Sequence, residues 1–197
     1  MSIYNSRYLI KLAESKAETL EKSIHSVIAE SMVKIASKEE TNDRYDIFLS
    51  HRFLDSKEIL GIITELENFG YAVFVDWLED LRLSRTSISK HTAAKLKKYM
   101  VRSRALFFAT TSNYRRSKWM PWELGYMDGK KNGRVAILPV SDTNTNHYYG
   151  QEYLGLYPYI SKEKGRDNIY KIWVNEQPDI YVTLEKWLDG SNPRKHR

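Results

Sequence analysis

The chain has no cysteine, no glycine before Gly61 and no proline before Pro121. Without cysteine there can be no disulfide, no thiol nucleophile and no Cys-ligated zinc or iron–sulfur centre. Its five histidines, His25, His51, His91, His147 and His196, show neither HxH nor HxxxH spacing. A metal site is therefore not expected, and any chemistry falls to carboxylates, hydroxyls, imidazole and basic groups. No apolar run approaches a membrane span, and no N-terminal stretch combines a charged start, an apolar centre and a small-residue cleavage site. The expected setting is cytoplasmic, with no membrane partner. Neither GxGxxG nor GxxxxGK[ST] occurs, which leaves a Rossmann fingerprint or a P-loop unsupported.

The formal charge is +6, but it is unevenly placed. Residues 1–41 hold six basic and six acidic groups, whereas Ser191–Arg197 holds Arg194, Lys195 and Arg197 and no acid. What remains in the middle is a weak basic excess, which suits a small anionic ligand at least as well as a polyanion. Arg115, Arg116 and Lys118 are the cluster that keeps a nucleic acid in view as the lesser alternative. With 197 residues and 42% hydrophobic content the chain can bury one full core. The expected division is an N-terminal amphipathic helical extension over 1–41, one domain over 42–190, and a basic flexible tail over 191–197.

Leu9, Ala13, Ala17, Leu20, Ile24, Val27 and Ile28 recur at three- and four-residue steps, the signature of a long amphipathic helix. Its apolar stripe must meet either the following domain or the same helix of another subunit. After a polar linker at Lys38–Asp43 the pattern changes. Strands are expected at Tyr45–His51, Tyr71–Asp76, Arg104–Thr110 and Val135–Val140, separated by helical patterns that end at Gly70, run through Ile88–Ser103, and begin near Trp119. A helix near Gln151, a strand at Tyr170–Val174 and a helix through Leu184 and Trp187 follow.

Continuous apolar strands alternating with amphipathic helices imply a parallel sheet covered on both faces. Right-handed crossovers restrict this to the doubly wound α/β class, where ligands sit beyond the carboxyl ends of the strands at the switch point. In a flavodoxin-like order that crevice lies between the first and third strands, beneath Ser50-His51-Arg52-Phe53 and Thr110–Lys118, with Glu123 directly following.

Glu123 lies in Ser117-Lys118-Trp119-Met120-Pro121-Trp122-Glu123-Leu124-Gly125. Ser117 is a capping residue, Pro121 is tolerated in a first turn, and Trp119 and Glu123 then share one helix face. Exposed N–H groups and the helix dipole favour an ionised carboxylate there. Two readings stay open: a carboxylate facing positive charge in a site, or an N-terminal helix carboxylate beside a core stripe of Trp119, Trp122 and Tyr126.

These segments resemble a known family. Tyr45-Asp46-Ile47-Phe48-Leu49-Ser50-His51 is similar to the first box of Toll/interleukin-1 receptor (TIR) domains, and Phe74-Val75-Asp76-Trp77 to their second strand. Trp119-Met120-Pro121-Trp122-Glu123-Leu124 resembles their tryptophan-to-glutamate motif. The likeness spans about Asp43–Gly190. It departs in the loop Leu78–Ser87, which lacks the family's usual Pro-Gly and carries Arg82 and Arg85.

The family contains both adaptor scaffolds and enzymes that cleave NAD, bacterial antiphage Thoeris proteins among the latter. The resemblance implies that Glu123 is the catalytic residue, that NAD is the substrate and no cofactor is needed, and that the product is ADP-ribose or a cyclic or conjugated form of it. It also implies self-association through TIR–TIR contacts and a downstream effector that senses the product. One carboxylate suffices because nicotinamide in NAD is already cationic and departs neutral, so no second acid must protonate the leaving group. Candidate substrate contacts are Ser50, His51, Arg52, Asp76, Trp77, Trp119 and Trp122. For Arg52 the choice is a phosphate or ribose contact against an ordinary surface arginine. For the tryptophans it is stacking on a base against packing the core.

Overall fold

In the computed structural model, residues 2–37, 44–75, 77, 90–143, 148 and 152–196 are described. Asp76 and the loop Leu78–Ser87 lie outside them, as do Tyr149 and Gln151. The central element is β2 (Tyr45–Ser50), flanked in parallel by β3 (Val73–Phe74) and β4 (Ser103–Thr110); β5 (Val135–Ser141) and β6 (Tyr159–Lys164) continue the parallel set. The order β3-β2-β4-β5-β6 is the expected flavodoxin-like one, reversing between β2 and β4. Beyond β6 the sheet turns antiparallel through β7 (Tyr170–Gln177), β8 (Ile180–Thr183) and β9 (Arg194–Lys195).

Alternate strand residues feed two apolar layers, as burial on both faces requires. Ile47, Leu49, Ala105, Phe107, Ala136 and Leu138 face α3 (Ser56–Asn68) and α6 (Leu184–Leu188). Phe48, Leu106, Phe108, Val135 and Ile137 face α4 (Lys90–Arg102) and α5 (Met120–Lys130). Helix α3 closes on Gly70, whose φ of 86° lets Tyr71 N–H reach back to the Leu66 carbonyl at 3.1 Å.

The N-terminal segment is woven into this domain rather than appended to it. β1 (Tyr4–Asn5) pairs in parallel with Val140 and Ser141 of β5, and Ser2 bridges to Lys162 of β6. The expected long helix divides into α1 (Ser6–Thr19) and α2 (Ile24–Ser37). The division has a local cause: Glu21 adopts φ 52°, Lys22 N–H returns to the Ala17 carbonyl, and Ser23 Oγ accepts from Ser26 N–H to start the second helix. Leu9, Ala13, Ala17, Val27 and Ile28 are all buried in the chain's own core. Residues 191–196 are likewise not a free tail. Arg194 and Lys195 pair with β8, and Arg134 donates to the Gly190 and Ser191 carbonyls. β6 and β8 were not expected, and the helix near Gln151 is only a 3-10 turn at Glu152–Leu156.

Two contacts fix α1. At Gly61 the backbones of α1 and α3 touch: a Cβ there would lie 2.1 Å from the Leu9 carbonyl oxygen. Nearby, Glu65 is buried and forms an ion pair with Lys162. Lys162 Nζ also donates to Tyr8 Oη at 3.0 Å, and the Tyr8 hydroxyl donates to Glu65 Oε2 at 2.7 Å. Burial opposes the Lys162 charge, but Glu65 and Tyr8 outweigh it and raise its pKa.

Gly61→Ala should cost about 2–3 kcal/mol by overpacking against backbone that cannot yield, and be seen as a lowered melting temperature. Lys162→Met should cost a similar amount, about 2–3 kcal/mol, because it strands the Glu65 charge, while adding Glu65→Leu should recover most of the loss in denaturant titrations. A double variant as unstable as the single one would show that the ion pair is not what matters there.

Candidate active site

Ser50 ends β2 and Thr110 ends β4, so the two adjacent strands deliver their following loops to one edge of the sheet at the point where strand order reverses. Behind β4 the chain makes a 3-10 turn at Tyr114–Arg116 and enters α5. Ser117 Oγ accepts from Met120 N–H at 3.2 Å, Pro121 occupies the first turn where its missing N–H costs nothing, and Glu123 N–H bonds the Trp119 carbonyl at 2.9 Å.

This start aims Glu123 inward. Its side chain is 7% exposed, and the Ser50 hydroxyl, itself buried, donates to Glu123 Oε2 at 2.5 Å. The separation is that of a charge-assisted O–H to carboxylate bond. A buried carboxylate at a helix N-terminus, held by a hydroxyl from the neighbouring strand, presents negative charge at a fixed place at the switch point.

The other expected site residues divide by position. Arg52, two residues beyond Ser50 at the end of β2, is buried. His51 Nδ1 lies 3.1 Å from the Leu49 carbonyl, which can only accept, so Nδ1 carries the proton. Trp77 packs edge-on against His51 and Phe53, at 5.0 and 6.1 Å between ring centres, and is only 1% exposed. Its indole packs with these two rings in the core, beside the loop that follows β2. Trp119 and Trp122 are half-buried and meet edge-to-face at 5.3 Å. Trp122 is further occupied by Tyr126, stacked at 5.8 Å, and by Lys97 Nζ at 5.7 Å. Asp76 falls outside the described residues.

At this sheet edge a buried acid escaped the sequence reading. Asp55, 3% exposed, accepts from Thr111 Oγ1 at 2.6 Å, Asn113 Nδ2 at 2.5 Å and Ser112 Oγ at 3.2 Å. It ties the loop after β2 to the loop after β4. The available signal was the run of three donors Thr111-Ser112-Asn113 in a loop expected to face that after β2.

Two depressions of about 280 and 340 Å³ flank Tyr114 and Arg115 at this sheet edge. A larger one of about 1010 Å³ lies over the antiparallel strands, away from Glu123, lined by Lys164, Lys171, Trp173, Tyr181 and Arg194 among others. Glu123 lines none of these three, and its buried hydrogen bond rather than cavity size distinguishes it. Among the described residues no group of three His, Asp or Glu side chains gathers as a metal site, and no helix is long and apolar enough to cross a membrane.

An open sheet of this order, carrying a buried glutamate in the first turn of the helix behind its third strand, has the architecture of a TIR domain. No protein-family model matches the chain. It is 43% identical over 183 residues, 90% of its own length and 94% of the relative's, to the probable 3' cyclic ADP-D-ribose synthase ThsB' of Bacillus cereus strain MSX-D12. The chain belongs to the TIR family that includes ThsB'. A shorter match, 35% identical over 83 residues, covers 42% of the chain and 22% of the provisionally named cyclic ADP-D-ribose synthase TIR2 of Cytobacillus dafuensis. Among solved structures, the TIR domains of the activated Roq1 resistosome, which directly recognises the pathogen effector XopQ, align at TM-score 0.37 and 26% identity, covering 50% of this chain and 58% of that one.

Ser50→Ala should destabilise the protein by about 1–3 kcal/mol, since the buried Glu123 carboxylate loses a donor that water cannot replace. In a denaturant cycle with Glu123→Gln the two losses should be far from additive. Additive costs would mean that the two side chains do not depend on one another.

Proposed function

We propose that this protein is an enzyme that cleaves the nicotinamide–ribose bond of NAD and closes the remaining ADP-ribose into a cyclic product, acting in antiphage signalling. The observation that carries the reading is the buried Glu123 carboxylate held by Ser50 at the switch-point crevice, in a chain 43% identical to a protein named as a cyclic ADP-D-ribose synthase.

The chemistry follows from charge. Nicotinamide leaves with the electron pair of the C1'–N bond and becomes neutral, and positive charge develops on the ribose. Glu123, fixed before substrate arrives, stabilises that charge without reorganising. A hydroxyl from the adenosine end of the same molecule then bonds to C1', and its proton passes to the carboxylate. Capture by water instead yields linear ADP-ribose, so exclusion of water from the crevice governs the product. Arg52, buried in the loop that follows Ser50, is assigned to the pyrophosphate or ribose. His51 and Trp119 supply the flanking surfaces.

The rest of the reading concerns setting. The protein works in the cytoplasm, self-associates, and hands its product to an effector. Because the α1 stripe is covered by the chain's own core, self-association is assigned to other TIR surfaces.

Purified protein given NAD should release nicotinamide together with a product lighter than ADP-ribose by one water, as mass spectrometry resolves. Glu123→Gln should keep the fold and lose turnover by about 10²–10³-fold, as removal of a preorganised electrostatic group does elsewhere. Parent-like turnover in a folded Glu123→Gln protein would remove Glu123 from catalysis. No nicotinamide from the parent would favour an interaction module instead.

A further inference from the structure

Glu123 is fastened on one side by Ser50, but a single hydroxyl cannot fix the helix that carries it. The loop between β4 and α5 must also be held, and its own backbone bonds are those of one short turn: Tyr114 N–H to the Thr111 carbonyl at 3.3 Å, Arg116 N–H to Asn113 at 3.0 Å, and Ser117 N–H to Tyr114 at 3.0 Å. These bonds shape the loop without attaching it to anything else. Tyr114 packs edge-on against Phe108 at 6.0 Å, and the polar attachment comes from Asp55, whose two oxygens take side-chain donors from three successive loop residues, Thr111, Ser112 and Asn113.

From Asp55 a succession of hydrogen bonds and short backbone steps leads to the residue that carries the carboxylate. Asp55 holds Thr111–Asn113, these start the 3-10 turn, and the turn ends on Ser117. Ser117 Oγ receives Met120 N–H at 3.2 Å, and the first helical turn carries Glu123. At its other end Asp55 belongs to the segment that follows Ser50 and Arg52, with its own N–H bonded to the Arg52 carbonyl at 3.1 Å. Among the described contacts, the Ser50–Glu123 bond and the bonds from Asp55 to its three donors both join the two walls of the crevice.

We propose that Asp55 is a positioning residue for Glu123, a clasp that sets the start of α5 against the end of β2 and so fixes where the carboxylate stands relative to Ser50 and Arg52. Asp55 does not meet substrate: it is 3% exposed and both oxygens are engaged within the protein. An aspartate rather than an asparagine is required because three donors converge and an amide offers one acceptor oxygen where a carboxylate offers two. Its expected influence on turnover rests on the NAD-cleaving reading, whereas its influence on the geometry of the crevice does not.

The test compares Asp55→Asn, Thr111→Val, and the two combined. Each is checked for folding by circular dichroism and melting, for kcat and KM of nicotinamide release, and for amide hydrogen exchange over 110–123 by mass spectrometry. A displaced catalytic group lowers kcat by about tenfold or more while KM stays within about threefold, because binding groups elsewhere are untouched. Exchange over 111–123 should rise beyond any global change in stability. Since both variants cut the same clasp, the combined one should be little worse than Asp55→Asn alone. A folded Asp55→Asn protein with the parent's kcat, or with the parent's exchange over 111–123, overturns the proposal, as does a combined variant whose losses multiply. If Asp55→Asn does not fold, Thr111→Val decides by the same readouts. If the parent itself releases no nicotinamide, the NAD-cleaving reading fails, and exchange alone decides: raised exchange over 111–123 upholds the clasp and unchanged exchange overturns it.

Discussion

A carboxylate with 7% of its surface exposed is costly to keep charged, and it persists only where donors and dipole compensate for lost water. For Glu123 the Ser50 hydroxyl at 2.5 Å and the N-terminal turn of α5 contribute to that compensation. Both depend on adjacency. Ser50 reaches Glu123 only because β2 and β4 are neighbours and in a register that pairs Ser50 with Phe108. The helix then begins ten residues past the end of β4, after a turn that reverses the chain onto the sheet. Strand order, register and loop length thus meet in one hydrogen bond.

The remaining architecture keeps those strands still. The sheet is covered on both faces, with α4 and α5 on one side and α3 and α6 on the other. The N-terminal segment adds a further layer through α1, locked to α3 where Gly61 admits the Leu9 backbone and to β6 through the Lys162, Glu65 and Tyr8 cluster. β1 fills the edge of β5 beyond its short pairing with β6. The antiparallel strands β7 to β9 extend the sheet on the side away from the crevice, which leaves the switch point at β2 and β4 as the place where two loops converge on a buried acid.

The parallel half of the fold was legible because its strands are apolar on both faces, so Tyr45–Ser50, Arg104–Thr110 and Val135–Val140 stand out as continuous runs. The far side of the sheet was legible only in part: the strand at Tyr170–Val174 was expected, but its neighbours were not. Tyr159–Lys164 ends in Ser-Lys-Glu-Lys and Ile180–Thr183 is four residues long, and strands with one solvated face carry a weaker signal. The N-terminal periodicity was plain, yet its division at Glu21 and Ser23 turned on a positive φ and a side-chain cap, neither of which interrupts the apolar spacing. Trp77 shows the same limit in the site. Its place at the end of a strand suggested a ligand contact, but whether an indole there faces outward or packs under His51 depends on neighbours distant in sequence.

By itself the sequence determined the α/β class, the switch-point crevice and the nomination of Glu123, because these rest on local periodicity, on the chirality of crossovers and on a capped helix start whose residues are contiguous. Tertiary structure alone decided what holds Glu123 and what surrounds it. Ser50 lies 73 positions away, and the three donors to Asp55 lie 56 to 58 positions beyond it. Hydrogen bonds at such separations leave no periodic trace along the chain. They exist because folding places two strand ends side by side, and the need to satisfy each buried polar group then selects which side chains can stand there.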